Sequence, residues 1–108
     1  MTGGTRGIGE AISVALKNAG YTVAANYAGN DARAMAFSAR TGIKTYKWDV
    51  ADFFACVEGV KEIENDLGPV DVIVNNAGIT RDATMKKMNR QAWDEVLDTN
   101  LGGCFNMC

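Results

Sequence analysis

The sequence predicts an α/β fold, a doubly wound parallel sheet with helices on both faces, built by residues 1–108 as one domain. Three observations carry this expectation. Apolar spacing alternates between helical and strand periods in the order turn-α-β-α-β-α-β-loop-α. Each link between strands passes through a helix, which makes the crossovers right-handed and the sheet parallel. The length of 108 residues fits a single domain and carries no repeat, low-complexity tract or linker.

The elements follow in chain order. The opening stretch TGGTRGIG reads as a turn that runs straight into a helix, with Ile8, Ala11, Ile12, Ala15, Leu16 and Ala19 at three- and four-residue spacing and Gly20 as its stop. Tyr21–Tyr27 reads as a buried strand. A second helix starts near Asp31, presents Ala32, Met35, Ala36 and Ala39 on one face, and ends at Gly42. Ile43–Trp48, with β-branched and aromatic residues, reads as the next strand. Asp52 caps a third helix whose apolar stripe is Phe53, Cys56, Val57, Val60, Ile63 and Leu67, and Gly68-Pro69 stops it. Val70–Gly78 reads as a strand running into a loop, and Asn89 caps a last helix carrying Trp93, Val96, Leu97 and Leu101.

Composition narrows the function. Eleven Lys+Arg against 13 Asp+Glu give a net charge of −2, without the basic excess of a nucleic-acid binder. No apolar run reaches the roughly 20 residues that span a bilayer, and MTGGTRGIGE has no signal-peptide core. Cys56, Cys104 and Cys108 form an odd set with no C-x-x-C, which suggests neither a disulfide framework nor a metal site. The chain has no histidine, so histidine bases and ligands are excluded. These features suit a soluble, cytoplasmic protein that handles small molecules.

Gly3, Gly7 and Gly9 form G-x-x-x-G-x-G, opening directly into a helix. Glycines let backbone approach a pyrophosphate, and the helix N-terminus offers free N–H groups and the positive end of a dipole. Downstream βαβ units are the context such a turn requires, although only Met1 stands where a preceding strand is expected. The turn TGGTRGIG resembles the T-G-x-x-x-G-I-G of the short-chain dehydrogenase/reductase family. Asn75–Gly78 (NNAG), the pair Asp49-Val50 and Asp98–Leu101 (DTNL) resemble three further family markers, in order. More narrowly, NNAGITRD, YKWDV, LGPVDV and DTNL resemble the bacterial acetoacetyl-CoA reductase branch, with 3-oxoacyl-ACP reductases as near relatives.

The resemblance implies a partial Rossmann-type sheet that lacks the first strand and the C-terminal half. It implies that Gly3, Thr5, Gly7, Ile8 and Gly9 hold the cofactor pyrophosphate, that Asp49 and Val50 contact the adenine, and that Asn76, Ala77, Gly78, Ile79 and Thr80 line the ribose and nicotinamide side. An NAD-selective site needs an acidic residue at the end of the second strand. That strand ends in Asn26-Tyr27, with no carboxylate before Asp31; Arg6 resembles the basic residue that NADP-preferring members place in the turn, and Arg33 is either a second phosphate partner or a solvated helix-face arginine. NADPH is therefore the expected cofactor, with Tyr27 beside it.

Helical spacing from Val96 and Leu97 puts Asn100 on the buried stripe, where an unpaired amide costs about 1–3 kcal/mol. Either it bonds backbone at a helix irregularity, or, as the resemblance implies, it is the catalytic asparagine that holds a water in a proton relay. Asp82 and Lys87 follow the cofactor loop and are candidate contacts to an acyl-CoA substrate; a solvated charged loop is the other reading.

The family's proton donor is a tyrosine with a lysine four residues on, aided by a serine. Tyr21, Tyr27 and Tyr46 are followed at that distance by Ala25, Asp31 and Val50. The expectation is thus the cofactor-binding fragment of an NADPH-dependent reductase converting acetoacetyl-CoA to the (R)-3-hydroxyacyl-CoA, on a route to polyhydroxyalkanoate. By itself this chain is expected to be at best marginally folded and inactive; its full-length parent is expected to be a homo-tetramer. Two alternatives stand beside it: a non-catalytic module that binds a dinucleotide or a partner, and a fragment of a 3-oxoacyl-ACP reductase.

Overall fold

The computed structural model describes residues 1–108. Helices α1 (Gly7–Asn18), α2 (Asp31–Thr41) and α3 (Phe53–Leu67) alternate with strands β1 (Ala24–Tyr27) and β2 (Lys44–Lys47). A long irregular stretch leads to α4 (Arg90–Leu97), a π-helical turn (Asp98–Gly102) and the short α5 (Gly103–Met107). No helix is long and apolar enough to cross a membrane.

The two strands pair in parallel, from Ala24 opposite Lys44 to Tyr27 opposite Lys47. Side chains alternate across the sheet, and each face has its own core. On one face Ala25, Phe37 and Ile43 are buried together, with Val14 of α1 against them. On the other Tyr46, Trp48, Val50 and Cys56 are buried, with Ile63 of α3 and Met107 of α5 packed on them. This is the doubly wound arrangement the sequence predicts. Local signals for the helix ends hold as well. Asn30, Asp52 and Asn89 cap α2, α3 and α4 by accepting from the N–H groups of Arg33, Ala55 and Ala92. Gly42 ends α2 at φ 75°, where only glycine is free of strain.

Four expectations need correction. The fourth strand, expected at Val70–Gly78, does not form. Met1 and Thr2 lie between that segment and β1. The Met1 α-amino group donates to Ala24 O, and Asn26 N–H donates to Met1 O, both at 2.9 Å, which makes one parallel rung. Thr2 N–H then donates to Val74 O at 3.1 Å. Upstream of that rung a groove of about 740 Å³ separates Tyr21–Val23 from Val70–Ile73, floored by Leu16, Val60 and Ile63. With no ladder partner there, the segment stays irregular, and Val70, Val72 and Ile73 are exposed.

The remaining three corrections concern helix faces. In α2 the buried residues are Ala34 and Phe37, while Ala32, Met35, Ala36 and Ala39 face solvent. Both sets have helical spacing, and the set containing the ring has more area to remove from water. In α1 the inward face is Gly9 and Ser13, with Ile12 and Leu16 half-buried and Ile8 exposed. Small residues win because the glycine turn folds closely over this helix: Ser13 Oγ donates to Gly4 O at 3.2 Å. In α4 Trp93 and Leu97, together with Leu101 beyond it, are exposed rather than core. Among the expected α3 residues only Phe53 is exposed; Cys56 is buried and Val57, Val60, Ile63 and Leu67 are half-buried.

Candidate functional site

The glycine turn is held by buried polar contacts. Thr2 and Thr5 are buried, and the Thr2 hydroxyl accepts from the backbone N–H groups of Asn76 and Ala77 at 2.9 and 3.0 Å. The Asn76 amide donates back to Thr2 O and Gly3 O at 3.3 and 3.2 Å. The turn is thereby sewn to the 76–80 loop, two segments more than 70 residues apart. Gly9 makes this approach possible, because a Cβ there would overlap the Gly3 carbonyl and lie 2.5 Å from Asn76 Nδ2. Gly7 serves differently: its φ of 55° bends the chain into α1, and nothing lies within 4 Å of where its Cβ would be.

Helices α2, α3 and α4 have side-chain caps, whereas α1 begins at exposed Arg6 with none. Its first N–H groups therefore keep their hydrogen-bonding capacity and the positive end of the helix dipole. Uncapped N–H groups, an open glycine and an adjacent cation fit an anionic pyrophosphate.

Asn100 is exposed, not on a buried stripe as the spacing predicts. The π-helical turn over Asp98–Gly102 takes one more residue per turn and breaks the helical register on which that expectation rested. Both ends of its amide are nevertheless paired. Oδ1 accepts from Ile79 N–H at 2.8 Å and Nδ2 donates to Ile79 O at 2.9 Å. Arg6, Gly78–Arg81 and Asn100 together line a cleft of about 410 Å³. A second, more apolar cavity of about 600 Å³ shares Ile79–Arg81 and Asn100 and continues over Asp82 to Trp93, Val96 and Leu97. The structure thus gathers the glycine turn, the 76–80 loop and the asparagine helix at one place. Lys87 does not line either cavity.

Val50 is buried in the core of the α3 face, with its carbonyl accepting from Asn106 Nδ2 at 2.9 Å and Cys56 Sγ at 3.5 Å. Asp49 is exposed; its carboxylate accepts from Ala51 N–H at 2.9 Å and so shapes its own loop. Tyr27 and Arg33 stand apart at the ends of β1 and α2, with the Tyr27 hydroxyl donating to Asp31 at 3.1 Å. Sequence reasoning missed Thr2, Asn106 and Arg81. Thr2 carried a signal, the polar residue directly before the first glycine. Arg81 lines both cavities and is held by Glu95 at 3.0 Å.

This geometry defines a class: a doubly wound α/β protein whose glycine turn, loop and helix close one cleft at the carboxyl end of its strands, where such sheets bind ligands. The chain belongs to the short chain dehydrogenase family, whose model matches residues 1–108. It is 68% identical over 107 residues to an acetoacetyl-CoA reductase of Paracoccus denitrificans, and 64% identical to that of Rhizobium meliloti. To the 3-oxoacyl-[acyl-carrier-protein] reductase FabG of Staphylococcus aureus it is 43% identical over 111 residues. Among solved structures it matches a mutant short-chain dehydrogenase/reductase of Serratia marcescens with TM-score 0.92 and 31% identity, over 98% of this chain and 45% of that one. The chain is covered to 98–99% by these sequence relatives but spans only 44–45% of their length.

Proposed function

We propose that these residues form the cofactor-binding part of an NADPH-dependent reductase that converts acetoacetyl-CoA to the (R)-3-hydroxyacyl-CoA, as a step toward polyhydroxyalkanoate. The observation that carries the reading is the cleft in which Arg6, the Gly78–Arg81 loop and Asn100 meet at the mouth of the uncapped α1. The identities of 68% and 64% to reductases named for acetoacetyl-CoA, against 43% to one named for an acyl carrier protein, support the substrate. A bound nicotinamide dinucleotide would supply hydride.

The chain's own residues do the holding. Gly7, Ile8 and Gly9 present N–H groups to the pyrophosphate, with Gly3 and Thr5 shaping the turn and the Arg6 guanidinium facing the same cleft. Asp49 and Val50 flank the adenine, with Tyr27 and Arg33 on the ribose side. Asn76 and Ala77 anchor the loop, while Gly78, Ile79 and Thr80 border the nicotinamide. Asn100 fixes Ile79 and is the residue proposed to hold a relay water. Asp82, on the apolar cavity, and Lys87 are the contacts proposed for the acyl-CoA. We place the protein in the cytoplasm, as part of a homo-tetramer.

Titration of the full-length reductase with NADPH, followed by nicotinamide fluorescence, tests the cofactor reading; saturable binding lost in Gly9→Ala is expected, and absence of binding overturns it. The full-length reductase assayed with NADPH on acetoacetyl-CoA and acetoacetyl-ACP tests the substrate. Preference for the ACP thioester would favour the second reading.

A further inference from the structure

Asp31 is the first carboxylate after β1: it opens α2 four residues beyond Tyr27, about twenty residues past the last glycine of the turn, and a free carboxylate close to the ribose would accept the 2′-hydroxyl of NAD and repel a 2′-phosphate. In this chain that carboxylate is not free. Lys47 Nζ lies 3.1 Å from one of its oxygens and 3.2 Å from the other, and the Tyr27 hydroxyl donates to the first at 3.1 Å.

The fold builds this arrangement rather than leaving it to chance. Tyr27 and Lys47 are register partners, the last residues of two paired strands. Asp31 is the first residue of α2, and the Asn30 cap fixes the turn that delivers it. Arg33, on the same first helical turn, adds a further positive charge and no second acid. The hydrogen bonds from Lys47 and Tyr27 hold the Asp31 carboxyl below its usual range, so it stays ionised and paired.

We propose that Lys47 is a specificity-determining residue that favours NADPH over NADH by masking Asp31. The inference rests on the cofactor reading above and adds the means of choice. Without the ammonium, Asp31 becomes an acceptor for a 2′-hydroxyl and a repulsive charge toward a 2′-phosphate. With it, the end of β1 carries no uncompensated negative charge, and Arg33 tips the balance further.

The test measures dissociation constants of NADPH and NADH for the full-length reductase and for its Lys47→Met, Asp31→Asn and double variants. All three changes lie at exposed side chains, 52% and 60% accessible, so unchanged circular dichroism is expected. Lys47→Met should shift the NADH-to-NADPH ratio by about fivefold toward NADH, the size of one water-exposed charge at about 4 Å. The double variant should return the ratio to within about twofold of the parent, since the acid that Lys47 masks is gone. A ratio unmoved by Lys47→Met overturns the proposal. A shift that Asp31→Asn does not reverse overturns it too, because Lys47 would then act on the phosphate directly. Failure of the parent chain to bind either dinucleotide removes the cofactor reading itself and this inference with it.

Discussion

Asn100 and Ile79 form a two-point clamp in which a side-chain amide pairs with a backbone peptide as a neighbouring strand would, accepting at 2.8 Å and donating at 2.9 Å. The 76–80 loop has no ladder of its own, so this clamp and the Asn76–Thr2 contacts decide its shape. The site is therefore built from side-chain amides more than from secondary structure.

Replacing Asn100 separates the two halves of the clamp. Asn100→Ala should lose about 1–2 kcal/mol and raise the exchange rate of the Ile79 amide at least tenfold by hydrogen exchange. Asn100→Asp keeps the acceptor but not the donor, and should leave that amide protected. Equal exchange in both variants would show that the clamp does not hold the loop.

The two glycines of the turn should fail in different ways. Gly9→Ala forces overlap with Gly3 O and Asn76 Nδ2 and should abolish dinucleotide binding while destabilising by about 1–3 kcal/mol. Gly7→Ala meets open space and bears only the left-handed backbone strain, about 1–2 kcal/mol. Its binding loss should be smaller in fluorescence titration.

Gly59 lets α3 seat on the Trp48 ring, whose Cδ2 would lie 2.6 Å from an added Cβ. Gly59→Ala should destabilise by about 1–3 kcal/mol and red-shift the tryptophan emission as that ring is pushed toward water. An unchanged denaturation midpoint would contradict the packing described.

Burial, and then the hydrogen bond to Asp66 at 2.9 Å, push the Tyr46 phenol up to about 12. Its folded pKa lies above the ordinary 10, so the stability it contributes is complete below pH 10 and falls away as pH rises toward 12. The tyrosinate absorbance lost in Tyr46→Phe should rise with a midpoint near 12 rather than 10.

With a two-stranded sheet and Val70, Val72 and Ile73 exposed, residues 1–108 should unfold in urea at low concentration with a broad transition. A sharp transition with a stability above about 5 kcal/mol would refute this.

The sequence by itself determined the layer order, the helix stops and caps, and the glycine turn that opens α1. Those signals are local: Asn30, Asp52 and Asn89 need only their own next turn, Gly42 only its own φ, and the glycine turn only its spacing. Tertiary structure alone decided the rest. Which face of α2 is buried depended on competition between two helical stripes, won by Phe37 through contact with Ala25 and Ile43. Whether Val70–Asn75 became a strand depended on what lay between it and β1. Asn100 looked buried because a uniform 3.6-residue period was assumed, and the π-helical turn changed that period. The partners of Thr2, more than 70 residues away, and the pairing of Lys47 with Asp31 across β1 and β2 are written in no local pattern. They exist because a parallel sheet brings the ends of distant segments to the same edge, where side chains meet that the chain keeps far apart.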